Sequence, residues 1–337
     1  MIDIKLLEQL CLCNGISGDE GNVRNLIINE IKDCADDIKT DNLGNLIVFK
    51  KGKKSAKSKL MVSAHMDEVG LMVTDITSDG YLKFDEVGGI DRRVLPGKRV
   101  CVGRNGLNGV IGVKPIHLTN GDEKTAVPKM NDMYIDIGAE SREDALKYVN
   151  YGDGINFEGD FKINGKTVVT KALDDRFGCY VLINLIKSEP EYDMYFTFVV
   201  QEEVGLRGAR PAAFTVNPDF ALVIESTTAA DVAEVDASHQ VCNLSKGATV
   251  TVMDRATVYD KEMISAAFEL AEKNNIAVQY KRAVAGGNDS GAIHQSRGGV
   301  RTLAVSLPSR YIHAPSTAAN LDDCESILKL AKVLSDY

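Results

Sequence analysis

Residues 60–70 read LMVSAHMDEVG. The apolar run Leu60, Met61, Val62 has the character of a buried strand, and it stops at His65 and Asp67, an imidazole and a carboxylate two positions apart. Open α/β sheets gather their chemistry at strand ends. In an extended segment residues i and i+2 lie on the same side. Asp67 can therefore accept a hydrogen bond from one ring nitrogen of His65 while the other binds a metal.

The remainder of the chain must supply a setting for that strand. With 337 residues and 44% hydrophobic composition, it has enough core-forming sequence for two domains. A net charge of -9 argues against nucleic acid or an anionic membrane surface as partner, because both require a cationic footprint. The first fifteen residues, MIDIKLLEQLCLCNG, are broken by Asp3, Lys5, Glu8 and Gln9 and lack the apolar core of a signal peptide, so a cytoplasmic location is expected. Seven cysteines, an odd number without a CxxC pair, read as reduced thiols rather than disulfides or a zinc-thiolate site.

Two helices open the chain, the second preceded by Ser17 and Glu20 as a capping box. A hairpin turns at Asn42-Leu43-Gly44, and a lysine-rich solvated turn leads into LMVSAH. From about 70 to 165 the segments shorten and turn signals multiply (Gly88-Gly89, Asn105-Gly106, Asn108-Gly109, Asn164-Gly165), which reads as a β-rich insert containing one helix from Ser141 through Val149. His117 in that insert reads as a surface or structural histidine. After 166, strands alternate with helices again. The expected architecture is an α/β domain with a mixed, helix-covered sheet, built from 1–68 and 166–337, interrupted by a small barrel-like β domain at 69–165.

Matching groups recur where other apolar runs end. Asp174-Asp175 open a helix after VVTKAL, Glu202-Glu203 follow YFTFVV, Glu225 ends FALVI, and His313 follows TLAVSLP. Two adjacent carboxylates would repel strongly if buried without cations. Two histidines and three carboxylates form the nitrogen and oxygen donor set of two divalent ions, one carboxylate bridging them. Such a pair polarises a carbonyl and acidifies a bridging water, and it needs a separate general base. Glu202 and Glu203 can divide the duties of ligand and base.

These segments resemble the M42 metallo-aminopeptidases, the tetrahedral or glutamyl aminopeptidases whose members also carry the label endoglucanase. SAHMDEVGLMV is similar to the family's first metal motif, KALDDRFG to its bridging-aspartate motif, VVQEEVGLRGAR to its base-and-ligand motif and RYIHAP to its last histidine motif. VGGIDRRVLPGKRV and GGNDSGAIHQSRGGVRTLAVSLPSRYIH follow the family's order as well. The resemblance implies His65 and His313 as terminal metal ligands, Asp174 as the bridge, and Glu203 and Glu225 as carboxylate ligands. It implies Glu202 as the general base, Asp67 as the group orienting His65, and Asp175 nearby. Glu225 stands where the family more usually has aspartate. Asn288 replaces a common threonine, and Asp289 reads as a helix-start or loop-fixing group.

The expected activity is removal of N-terminal residues from peptides with a free amino terminus. A metal-bridging water, activated by Glu202, would do this with two Zn2+, Co2+ or Mn2+ ions per subunit. The resemblance further implies a homo-oligomer in which the insert forms dimers and dimers assemble into a tetrahedral dodecamer. Arg310, Tyr311 and the loop Leu206 to Arg210 are candidates to meet the substrate side chain. Two other readings use the same carboxylates. Glu202 and Glu203 could flank a sugar in a metal-free glycoside hydrolase. Alternatively the cluster could serve a non-catalytic metal-binding scaffold.

Overall fold

In the computed structural model, which describes residues 2–336, the run Leu60–His65 is an inner strand of an eleven-stranded mixed sheet. The elements in chain order are α1 (Ile4–Leu12), α2 (Gly21–Ile31), β1 (Asp37–Thr40), β2 (Leu46–Lys50), β3 (Leu60–His65), β4 (Gly70–Ile76), β5 (Leu82–Val87), β6 (Arg99–Val102), β7 (Leu107–Gly112), β8 (Tyr134–Asp136), α3 (Arg142–Ala145) and β9 (Gly154–Phe157). They continue with β10 (Lys162–Asn164), β11 (Thr167–Thr170), α4 (Leu173–Lys187), β12 (Met194–Val199), α5 (Ala209–Val216), β13 (Phe220–Thr228), β14 (Ala248–Val250), α6 (Lys261–Lys273), β15 (Val278–Tyr280), α7 (Ser290–Ile293), β16 (Arg301–Arg310), β17 (Thr317–Asn320) and α8 (Leu321–Ser335).

The large sheet runs β1-β2-β12-β3-β13-β16-β17-β11-β10, with β14 beside β16 and β15 beside β14. Its centre, β12-β3-β13-β16, is parallel. Strands there are buried on both faces and need apolar side chains at successive positions. Val62 and Ala64 join the core formed with α1, α2, α4 and α8, whereas Met61 joins the opposite core with Ala209, Ala213 and Ile293 of α5 and α7. This alternation fixes register, because a one-residue slip would exchange the faces. The pairing Val199↔His65 brings the ends of β12 and β3 level, so Glu202-Glu203 emerge beside His65.

The β-rich stretch closes into a six-stranded barrel, β4-β5-β8-β7-β6-β9, around Leu71, Val73, Leu82, Val100, Ile111 and Ile135. β10 lies within 69–165, yet it pairs with β11 in the large sheet rather than joining the barrel. Closure leaves the barrel strands no free edge.

Local expectations differ from the structure in a few places. The capping box does not form: Ser17 Oγ donates to Asp67 Oδ2 at 2.6 Å, Glu20 Oε1 accepts from the N–H groups of Gly18 and Gln201, and α2 has no side-chain cap. Tertiary partners outcompete the local pattern. The Ser141-capped helix is one turn long, and buried Val149 lies beyond it. α5 and β17 carry no periodic pattern that announces them; Pro211 in α5 falls in the first turn, where its missing N–H costs nothing. Among the described residues no helix is long and apolar enough to cross a membrane.

Candidate metal centre

β11 runs in the same direction as β16, because both are antiparallel to β17 between them. Strand-end residues from β3, β11, β12 and β16 therefore collect at one edge of the sheet. Glu225 joins them from within β13, which continues to Thr228 rather than ending at the glutamate. Asp174 and Asp175 interrupt the first turn of α4 with non-helical dihedrals, and the peptide between them is cis. The side chain of Asp174 points into the cluster, toward His65 and His313. Asp175 accepts the Gly178 N–H at 3.0 Å.

The two oxygens of Asp174 face different histidines. Oδ1 lies 3.4 Å from His65 Nε2, and Oδ2 lies 3.3 Å from His313 Nε2. Glu225 Oε2 is 3.8 Å from His65 Nε2, and Glu203 Oε2 is 3.3 Å from His313 Nε2. Two triads result, His65–Asp174–Glu225 and Asp174–Glu203–His313, each with its ligand atoms within 4.8 Å of one another and sharing Asp174. Glu202 falls in a third such group with His65 and Glu203.

The surrounding contacts orient these groups. His65 Nδ1 meets the carbonyl oxygen of Asp67 at 3.0 Å, while the Asp67 carboxylate is 3.5 Å away. The expected carboxylate–imidazole hydrogen bond is therefore replaced by one to the backbone. The carboxylate instead accepts from Ser17 Oγ and from the N–H groups of Glu202 and Glu203 at 3.0 and 3.1 Å, tying the end of β3 to the turn after β12. His313, with φ +58, directs Nδ1 to the carbonyl of Gly89 at 3.1 Å, so the barrel orients this ring. Gly88 has φ +82, and a Cβ there would meet Glu203 Cβ at 3.2 Å. Only glycine suits both conditions.

Electrostatically, carboxylates outnumber the imidazoles in the cluster. Burial, then repulsion from Asp174, pushes Glu203 up to about 7. Burial likewise raises Glu202, with Asp289 and Glu203 repelling it, and raises Glu225 beside Asp175. Burial also acts against an ionised Asp174, but the imidazoles of His313 and His65 outweigh it and hold the carboxyl well below its usual range. The histidines respond in kind: against burial, Asp174 and its neighbours raise His65 strongly and His313 to about 9. Asp174 Oδ1, Asp175 Oδ2 and Glu225 Oε1 are buried without a hydrogen-bond partner. Buried, unpaired carboxylate oxygens are costly unless a cation meets them. Nitrogen and oxygen donors without a thiolate fit zinc, cobalt or manganese.

Some groups at the site carry no local signal for a place there. Ser17, the Gly88-Gly89 turn and Asp289 reach it only through tertiary structure. Asp289 is fully buried with both oxygens unpartnered and caps nothing in α7, so its carboxylate fills neither the helix-start nor the loop-fixing role expected for it; burial raises it to about 7. Of the candidates for substrate contact, Arg310 is engaged by Asp231 at 2.7 and 2.9 Å, and Tyr311 is exposed. His117 is exposed in a short 3-10 turn between β7 and β8.

A sequence profile of the M42 glutamyl aminopeptidase family matches residues 44–330. The chain is 34% identical to the lysyl aminopeptidase of Pyrococcus furiosus over 346 residues, covering 99% of this chain and 97% of the relative. Its fold is similar to the crystal structure of a TET aminopeptidase from the marine sediment archaeon Thaumarchaeota archaeon SCGC AB-539-E09, with a TM-score of 0.94 and 33% identity over 99% and 95% of the two chains. It is equally similar in kind to the Pyrococcus horikoshii TET1 peptidase, described as assembling into a tetrahedron or a large octahedral shell, with a TM-score of 0.87 and 39% identity over 98% of each chain.

Proposed function

The chain belongs to the M42 glutamyl aminopeptidase family, and from that premise we propose that it is a dinuclear metallo-aminopeptidase releasing N-terminal residues from peptides. The observation that carries this reading is the division of Asp174 between two triads, one oxygen toward each histidine. His65 and Glu225 would hold one ion, His313 and Glu203 the other, and Asp174 both. When bound, the ions polarise the scissile carbonyl and acidify water.

The chain's own residues perform the proton chemistry. Glu202 supplies the general base: its carboxylate takes the proton from the attacking water and delivers it to the nitrogen of the departing amine as the C–N bond breaks. The environment that raises its proton affinity suits both halves of that task. Asp67 holds the backbone of Glu202 and Glu203, and so fixes base against ligand.

Dimer formation through the barrel is the reading for the insert, supported by its exposed Ile116, Leu118 and Tyr148. Further assembly of dimers into a closed shell would admit only peptides.

The test is hydrolysis of free and N-acetylated aminoacyl chromogenic substrates by chelator-stripped protein, before and after adding Zn2+, Co2+ or Mn2+. Metal-restored cleavage confined to free amino termini is expected. Cleavage that survives chelation, or that is equal on acetylated substrates, would contradict the reading.

A further inference from the structure

Beside the cluster lies a buried charge group that the chemistry above does not use. Lys171 Nζ donates to Glu68 Oε1 at 2.8 Å, to Glu68 Oε2 at 3.1 Å and to Asn14 Oδ1 at 3.0 Å. Arg176 Nη2 also donates to Glu68 Oε1, at 3.2 Å, and to the carbonyl of Gly15, while Nε and Nη1 grip the carbonyls of Met66, Leu10 and Cys13. All three side chains are almost fully buried.

Their places in the chain are specific. Glu68 comes three residues after His65, and Lys171 three residues before Asp174. Both line the small cavity that Asp174, Glu203 and His313 also line. The outbound crossing from sheet to barrel carries Glu68. The return crossing lies on Lys171, since a Cβ at Gly159 would meet the Lys171 Cγ at 2.9 Å. A buried ion pair adds little stability over an apolar pair of similar size, so the fold alone gives no reason for one here. Geometry at the neighbouring cluster does.

We propose that the Lys171–Glu68 ion pair is a brace that sets Asp174 against His65, which makes Lys171 a positioning residue for peptide hydrolysis. The proposal rests on the metal-centre reading above. Lys171 opens the turn that ends at Asp174 and Glu68 lies on the run that leaves His65, so the pair ties the approach to one ligand to the exit from the other. Ala172 within it takes φ +54, a conformation that the surroundings must impose.

The experiment compares wild type with Lys171→Met, each loaded with Co2+. Methionine keeps the stem under Gly159, and Glu68 keeps Arg176, so the fold should survive. Visible absorption of the bound Co2+ reports ligand geometry directly. The expected result is two ions per chain in both proteins, an altered spectrum in the variant, and kcat lower by about 10- to 100-fold with KM little changed. Glu68→Gln should alter the spectrum in the same way. An unchanged spectrum and kcat in folded Lys171→Met would overturn the brace. If that variant does not fold, Glu68→Gln is read in its place, and loss of fold in both would show that the pair serves the fold and not the site. A wild type that takes up no Co2+ would instead overturn the metal-centre reading on which the brace rests.

Discussion

Between Gly70 and Phe157, where the barrel strands lie, Asn156 is the one buried polar side chain among the described residues, and it accepts the Gly15 N–H. At the edge of the large sheet the opposite holds. His65, Asp67, Asp175, Glu225 and Asp289 are all buried there, and several of their oxygens have no partner. The barrel is an apolar core in which no fully buried side-chain nitrogen or oxygen of the described residues is left without a partner. Of the carboxylates at the sheet edge, burial and mutual repulsion push Asp175, Glu202, Glu203, Glu225 and Asp289 toward protonation. A fold tolerates such conflict where function requires it, and elsewhere the surrounding apolar packing offsets the cost.

The comparison can be broken by variants that act on one region alone. The largest expected effect is on turnover. Glu202→Gln should keep two ions per chain by metal analysis yet lose about 10²- to 10⁴-fold in kcat. Unchanged turnover would remove Glu202 from the mechanism. Next comes Ile135→Ala in the barrel core, which should cost about 2–5 kcal/mol in denaturant unfolding. Its metal content per folded chain should stay at the wild-type value.

The smallest effect runs the other way. Glu225→Gln removes a destabilised carboxylate, so metal-free protein should gain about 0.5–2 kcal/mol while metal uptake falls. pH sharpens this point. Glu203 and Asp289, each raised to about 7, favour the folded state most below their unfolded values and lose that contribution as pH rises through 7. His313, raised to about 9, likewise stabilises below its unfolded value, and its contribution is lost as pH rises through 9. Metal-free stability should therefore fall from about pH 5 to 9. Divalent ions should flatten the profile; a metal-free profile that rises with pH would contradict the charge assignment.

The groups legible in the sequence were those marked by an abrupt local change. His65, Glu202-Glu203 and His313 each follow an apolar strand, and the strand-to-turn break is visible without tertiary knowledge. Asp174 was legible as one of two adjacent aspartates, but the division between them was not: Asp175 accepts the Gly178 N–H of α4, whereas Asp174 faces the two histidines. Ser17 and Glu20 matched a capping pattern and were taken up by Asp67 and Gln201 instead. Their partners lie 50 and 181 residues away in sequence, beyond any local signal. The same holds for Gly89, which orients His313 across 224 residues. β17, Thr-Ala-Ala-Asn, has no strand-forming pattern of its own and exists because β11 and β16 flank it.

The central claim is that Asp174 is shared by two divalent ions, and anomalous diffraction from crystals of the Co2+- or Zn2+-loaded protein tests it most directly. The account predicts two anomalous peaks per chain, one against His65 and Glu225 and one against His313 and Glu203, both touching Asp174. A single peak, or two peaks that do not share Asp174, would contradict it.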